Sequence, residues 1–430
     1  MPLKKKHKHL QFLNHSSLLL TTSKTKILCD PWFKGTAFSD GWSLLYDESH
    51  NINELDFDYI WMSHEHPDHF SIPTLRELNK NCTFLFQETK DKKVKKYLEE
   101  KGHSVIELKN KEETKIGDLK ITCIVCDGFD SSLLVKYPDG KVLLNINDAM
   151  VLDDIEVDKV DLLTFQYSYA NWAGNKGDKK IPKYLQSIID DKNDKAIAKF
   201  KPTAIMPFAS FVYFSHEENF YWNDNNWIDH VFNKYGDNRT TLIFPFPDQS
   251  ISLNNLEVKT YYVHNQSAKT FWKDKRKNLI IKDKVKPLSL DQIENCYLKF
   301  NKKINQENTI DSDLSLNIKI NDLDKIIKVG LVETSFEVVD EKETISVSSE
   351  TAGFLFSQLY ARGTVCVNSR VSFNYKTAHK FFLFFFIPYA NNIGIYFKQF
   401  PKDAYTSIMK TSVMSAINME WTGALNGKEA

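Results

Sequence analysis

Cysteine is scarce in this chain, and its six residues, at 29, 82, 123, 126, 296 and 366, show no framework spacing. That excludes a disulfide scaffold and fits a reducing compartment. The one close pair, Cys123 and Cys126, would direct its thiols to opposite faces of a strand, and no second pair completes a zinc knuckle. Net charge is absent as well, since 56 Lys and Arg balance 56 Asp and Glu, so no global field points to nucleic acid or an anionic membrane as partner. The basic run Lys4 to His9 is local and reads as a solvated tail. Long apolar runs are missing too. The longest, Phe381 to Pro388, is eight residues, whereas a membrane span needs roughly 20. It reads as a buried strand, with an interfacial membrane patch as the alternative should its rings be exposed. Asn14, His15 and two serines interrupt the apolar stretch after the basic start, so no secretory signal is read and a cytoplasmic location is expected. Internal repeats and low-complexity tracts are not evident.

What the chain does have is a dense group of metal-binding side chains. Ser63-His64-Glu65-His66-Pro67-Asp68-His69 directly follows the apolar stretch Tyr59-Ile60-Trp61-Met62. Neutral imidazole nitrogens and carboxylate oxygens together suit zinc, iron or manganese. A His-x-His pair at a strand end points both rings to one side, and the Asp-His pair that follows can serve a second ion.

The rest of the sequence reads as a soluble globular chain of more than one domain, with 42% hydrophobic and 26% charged residues over 430 positions. From residue 10 to about 250, short strands alternate with turns and a few helices. Strands are expected at 57–62, 83–86, 119–124, 132–137 and 141–146, with Pro138-Asp139-Gly140 closing the last two into a hairpin. A polar stretch from about 265 to 325 follows, holding a helix near 291–305 that reads either as a linker or as a dimer contact in a homo-oligomer. Strand-like segments return at 336–339 and 364–367. Three regions result: 1–264, a metal-binding domain; 265–330, a polar linker or helical insertion; and 331–430, a smaller C-terminal α+β module. The aromatic segment Phe165 to Gly174 offers Tyr169, Asn171 and Trp172 as candidate substrate contacts, with core packing as the alternative.

His64, His66, Asp68 and His69 resemble the His-x-His-x-Asp-His motif of the metallo-β-lactamase superfamily. The context is similar as well, with a strand before the motif, a helix over Pro73 to Leu78 after it, and an upstream strand pair at 13–20 and 26–32. Within the superfamily, the opening resembles the branch that holds L-ascorbate 6-phosphate lactonase, N-acylphosphatidylethanolamine phospholipase D and the non-Rieske part of CMP-N-acetylneuraminate hydroxylase. Asp30-Pro31-Trp32 with Gly35, Phe38, Gly41 and Trp42 is most similar to the last of these. No Cys-x-His and Cys-x-x-His combination occurs, so a Rieske cluster has no ligands here.

The resemblance implies an αββα sandwich and two divalent metal ions, zinc first, with iron or manganese as alternatives. It implies His64, His66, Asp68 and His69 as ligands and Asp148 as the carboxylate bridging both ions. The superfamily's third histidine has no counterpart, and Asp127 or Asp130 is left to substitute. His216 is the candidate for the late histidine of the second site, and His15 the candidate for a substrate contact. The reaction implied is hydrolysis of a phosphodiester, lactone or amide in a small-molecule substrate, with Asp68 also orienting the attacking hydroxide. A di-iron oxygenase on the same ligands is the alternative, because a carboxylate in place of histidine suits a harder, redox-active ion.

Overall fold

Two sheets of seven strands each arise because this chain alternates apolar side chains on both faces of its strands. The computed structural model describes residues 9–399 apart from 48–49, 127–129, 150–151, 154, 170–171, 173, 225–226 and 237–239. By contacts it divides into two units, 1–169 with 187–213 and 223–280, and 170–186 with 214–222 and 281–430.

In the first unit, one sheet runs in the order Gln249–Ile251, Leu10–Asn14, Ser17–Thr21, Lys26–Cys29, Tyr59–Met62, Thr83–Gln87 and Ser104–Leu108. The first four strands pair antiparallel and the rest parallel. Leu19, Leu28, Ile60, Met62, Phe84 and Phe86 share one face and pack with Val94 and Leu98 of the helix Lys93–Glu100. The alternate residues Leu18, Leu20, Ile27, Cys29, Trp61 and Leu85 are equally buried, as expected when both faces of a sheet are covered.

The second sheet repeats this plan in the order Thr241–Leu242, Ala204–Phe208, Leu162–Gln166, Val142–Asn147, Asp130–Lys136, Leu119–Cys126 and Glu113–Ile116. Its antiparallel half is a meander through the Gly140 turn, and its parallel half is buried along its whole length. The sheets are tied by Ser131 Oγ donating to the Ser63 carbonyl at 2.5 Å and by Asn147 Nδ2 donating to Asp30 at 2.7 Å. The helix Val258–Lys277 closes one side, with Asn265 bridging the Leu242 carbonyl and the Phe244 amide, and Trp272 donating to the Pro245 carbonyl. The αββα sandwich is therefore present.

The second unit, 170–186 with 214–222 and 281–430, is α+β. Its sheet runs Phe336–Val339, Lys325–Gly330, Ser315–Ile320, Ile345–Val347, Ser372–Phe373. Leu316, Ile318 and Ile320 are fully buried on one face, against Ile293, Tyr297, Phe300 and Ile304 of the helix Leu290–Glu307. That helix begins in a capping box of Ser289 and Gln292, which satisfies two amides that the first turn leaves open.

Two expectations are corrected here. The run 381–388 is not a strand but two short helices, His379–Phe384 and Phe386–Asn392, which put Phe381, Phe384, Phe385 and Ile387 into the core. An unbroken apolar run lacks the alternation that distinguishes strand from helix, and Pro388 lies in a first turn, where the missing N–H costs nothing. These rings are buried, so the membrane-patch alternative loses its premise. Likewise 364–367 lies in the helix Ala361–Val367, a β-branched segment whose local propensity packing overrides. Among the described residues no helix is long and apolar enough to cross a membrane.

Candidate metal centre

Five strand ends of the first unit converge on one point. The motif leaves the strand Tyr59–Met62 and runs into the short helix Ile72–Leu75, whose N-cap Ser71 accepts from the Thr74 amide. His15 sits in the tight turn between Leu10–Asn14 and Ser17–Thr21, Asp30 follows Lys26–Cys29, Asp130 opens its strand and Asp148 follows Val142–Asn147. His15, Asp30 and Asn147 have φ of 40°, 42° and 53°. Left-handed backbone at non-glycine residues is unfavourable and collects at functional sites.

The ligand atoms form two overlapping groups. His64 Nε2 lies 2.9 Å from His66 Nδ1 and 3.7 Å from Asp130. His69 Nε2 lies 3.5 Å from Asp68 Oδ2, and His15 Nε2 is 3.4 Å from the same oxygen. Asp148 Oδ2 stands between the groups, 3.6 Å from His64 Nε2 and 3.7 Å from His69 Nε2. Ligands sharing one ion at bonds of about 2.0–2.2 Å stand about 3 to 3.5 Å from one another, so this spacing fits an ion in each group. Buried Asp68 Oδ1, Asp148 Oδ1 and His15 Nδ1 have no hydrogen-bond partner among the described residues. Buried polar atoms are rarely left so, and cations would satisfy the carboxylates. The donor set, imidazoles with three carboxylates, is that of a dinuclear site for zinc, iron or manganese.

Electrostatics point the same way. Burial lowers His15 and His64 below the usual histidine range, which keeps them neutral and able to bind an ion. At His69 burial also opposes charge, but Asp68, Asp148 and Asp30 outweigh it and push the ring up to about 10. Asp68 goes the other way. Burial would raise it, but His69 and His15 hold it well below the carboxylate range. A cluster that pulls a proton onto a buried ring is one that lacks positive charge, and a divalent ion supplies it.

Around the ligands lies a supporting layer that sequence reasoning missed. Asp30, fully buried, accepts from the Ser63 amide at 2.7 Å, Ser63 Oγ at 2.8 Å and Asn147 Nδ2 at 2.7 Å, and faces His69 Nδ1 at 3.1 Å. Ser63 Oγ also lies 3.0 Å from His64 Nδ1. These partners turn the Nε2 atoms of His64 and His69 toward the ion positions. The available signal was an aspartate at a strand end followed by proline. His66 is the exposed ligand, so the cluster opens to solvent on its side.

The other candidate residues fall elsewhere. His216 belongs to the second unit, where its ring nitrogens each lie 3.7 Å from Glu218 and Glu350. Arg370 pairs with both glutamates, at 2.8 and 2.6 Å. The structure places His216 beside Glu218, Glu350 and Arg370. Tyr169 packs edge-on against Trp227, and Trp172 donates to the Val371 carbonyl at 3.1 Å and packs on Phe373. Both rings are buried. Asn171 and Asp127 lie outside the described residues.

Residues 9–128 match the family model described as the beta-lactamase superfamily domain. The sequence is 29% identical to the cytidine monophosphate-N-acetylneuraminic acid hydroxylase of Danio rerio over 154 residues, 33% of this chain and 25% of that protein. It is 30% identical over 178 residues, 37% of this chain and 34% of the other, to a Mycobacterium tuberculosis protein provisionally assigned as a Rieske 2Fe-2S iron-sulfur protein. The chain therefore spans about a quarter to a third of the length of these curated relatives. Among solved structures it is similar to CmlA, a diiron β-hydroxylase from Streptomyces venezuelae, with a TM-score of 0.40 and 12% identity over 58% of this chain and 55% of that one. A likeness that loose does not bear on chemistry.

Proposed function

The chain carries a β-lactamase superfamily domain over residues 9–128, and on that premise we propose that it is a metal-dependent hydrolase acting on a phosphodiester, lactone or amide of a small molecule. The observation that carries the reading is the pair of ligand groups joined by Asp148. His64, His66, Asp130 and Asp148 would hold one ion, and His15, Asp68, His69 and Asp148 the other. When bound, such ions lower the pKa of a water from about 16 to about 7 and polarise a carbonyl or phosphoryl oxygen. Asp68 keeps Oδ1 without a partner while Oδ2 engages His15 and His69, so that oxygen is free to orient the attacking water. Asp30 fixes the His69 ring and Ser63 the His64 ring, so neither has to reorganise during the reaction. The exposed side at His66 is the way in for substrate.

One observation favours a second reading, a di-iron oxygenase. Asp130 stands beside His64 and His66 where the superfamily's third histidine is missing, and the harder donor set suits redox-active iron. The relative named as a hydroxylase is consistent with this reading. Elemental analysis of protein purified without added metal separates the two. Two zinc or manganese ions, with turnover of a phosphodiester, lactone or amide panel, support hydrolysis. Two irons with oxygen consumption support the oxygenase, and a chain without bound metal sinks both.

A further inference from the structure

The place of Asp148 between the ligand groups is set by an irregularity of the second sheet. Asn145 pairs with Thr164 and Asn147 with Phe165, so the strand Val142–Asn147 carries one extra residue, Ile146, against its parallel neighbour Leu162–Gln166. Bulges are rare in parallel pairs, bend the strand that holds them, and collect beside active sites, where they re-aim a side chain. Here the chain turns at once. Asn147 takes the left-handed conformation, with φ of 53°, and the Ala149 amide donates to the Ile146 carbonyl at 3.0 Å. Asp148 lies inside that turn, its Oδ2 3.6 Å from His64 Nε2 and 3.7 Å from His69 Nε2.

One buried side chain holds this corner. Asn145 is 1% exposed, and its Oδ1 accepts from the Asn147 amide at 3.1 Å and from Thr164 Oγ1 at 2.8 Å. The first bond spans the bulge, and the second ties it to the neighbouring strand. Asn147 passes the constraint on, because its Nδ2 donates to Asp30, the carboxylate that faces His69. Asn145 Nδ2, by contrast, is buried with no hydrogen-bond partner among the described residues. An unsatisfied buried donor costs free energy, and positions 142–144 and 146 of the same strand are apolar. An apolar residue at 145 would avoid that cost, so the carboxamide earns its place through its oxygen. We infer that Asn145 is a positioning residue for the bridging carboxylate: its Oδ1 fixes the bulge and the left-handed turn that set Asp148 between the two ligand groups.

Asn145 has this role within the two-ion reading proposed above, and the test keeps the two apart. The full chain, stripped with chelator, is titrated with Mn(II), and electron paramagnetic resonance follows the exchange coupling that a shared carboxylate produces between two ions. Asn145→Leu removes the acceptor at similar volume, and Asn145→Asp keeps it. In the expected result the parent takes up two coupled ions. Asn145→Leu binds the second about 10- to 100-fold more weakly, the usual cost of losing a group that orients a ligand, and shows no coupling at saturation. Asn145→Asp restores both. If Asn145 serves only the fold, Asn145→Leu melts at a lower temperature with parental coupling and affinity, and that result overturns the positioning role. Loss of coupling in Asn145→Asp as well overturns the part given to Oδ1. A parent that binds fewer than two ions, or two without coupling, sinks the bridged two-ion reading, and the crystal structure of metal-free Asn145→Leu then decides the positioning. Asp148 displaced from His64 and His69 supports it, and Asp148 in place overturns it. Should Asn145→Leu fail to fold, Thr164→Val removes one of the two bonds to Oδ1 at constant shape. A weakened second ion in that variant supports the role, and unchanged coupling and affinity overturn it.

Discussion

Asp30 and His69 form the hinge of the candidate site: Asp30 Oδ2 lies 3.1 Å from His69 Nδ1, and both side chains are buried to within 1%. The carboxylate sets the tautomer of a ring whose other nitrogen faces Asp68 and Asp148. Asp30→Asn keeps the shape and removes the charge. Metal affinity should fall by about 10- to 100-fold, the usual cost of losing such a partner, as measured by competition with a coloured chelator. Undiminished affinity would show that Asp30 serves only the fold.

The two ligand groups should lose metal unequally. Asp148 stands between both groups, whereas His66 belongs to one. Elemental analysis should find His66→Ala with about one ion and Asp148→Ala with less. His216→Ala should retain the parent's full metal content, because His216 lies with Glu218, Glu350 and Arg370 in the other unit. Loss of an ion from His216→Ala would return that residue to the ligand set.

A pH dependence follows from His69. Its folded-state pKa is raised, to about 10, by Asp68, Asp148 and Asp30 against the opposing effect of burial. A raised histidine pKa stabilises the fold fully below the unfolded value of about 6.5, and the contribution is lost as pH rises toward the folded value. Chelator-treated protein should therefore melt at progressively lower temperature between about pH 7 and pH 10, and metal-loaded protein should lack this slope. At pH 7 metal uptake should release a proton from His69, visible as a buffer-dependent heat in calorimetry.

Arg370 holds the second unit's charge network. Its side chain is 4% exposed and pairs with Glu218 and Glu350, which are 16% and 22% exposed. Glu218 in turn accepts from Ser348 and Thr351 at the start of the helix Ser349–Ser357. Arg370→Leu leaves two largely buried carboxylates without their cation, and urea unfolding should show a loss of about 3–5 kcal/mol. Metal content should not change. A loss under about 1 kcal/mol would place the network among surface pairs.

The amino-acid sequence by itself determined the nucleus of the site and the class of the fold. His64, His66, Asp68 and His69 are within six positions of one another, so one strand end and the loop after it place them all, and the short apolar runs on 17–21, 59–62 and 83–87 are strands buried on both faces. The resemblance carried by that motif extends to the domain over residues 9–128. Tertiary structure decided the rest. His15, Asp30 and Asp130 reach the cluster from separate strand ends, and nothing in their local sequence encodes that meeting. What surrounds His216 and Trp172 was likewise decided by the fold, which sets Glu350 and Arg370 near the first and Val371 and Phe373 against the second. The aromatic run at 381–388 turned helical because tertiary packing, and not an alternating pattern, chose its period. Side chains near one another in sequence are held together by a few bonds. Those brought together by sheet register depend on the whole fold, and their partners are fixed only when it closes.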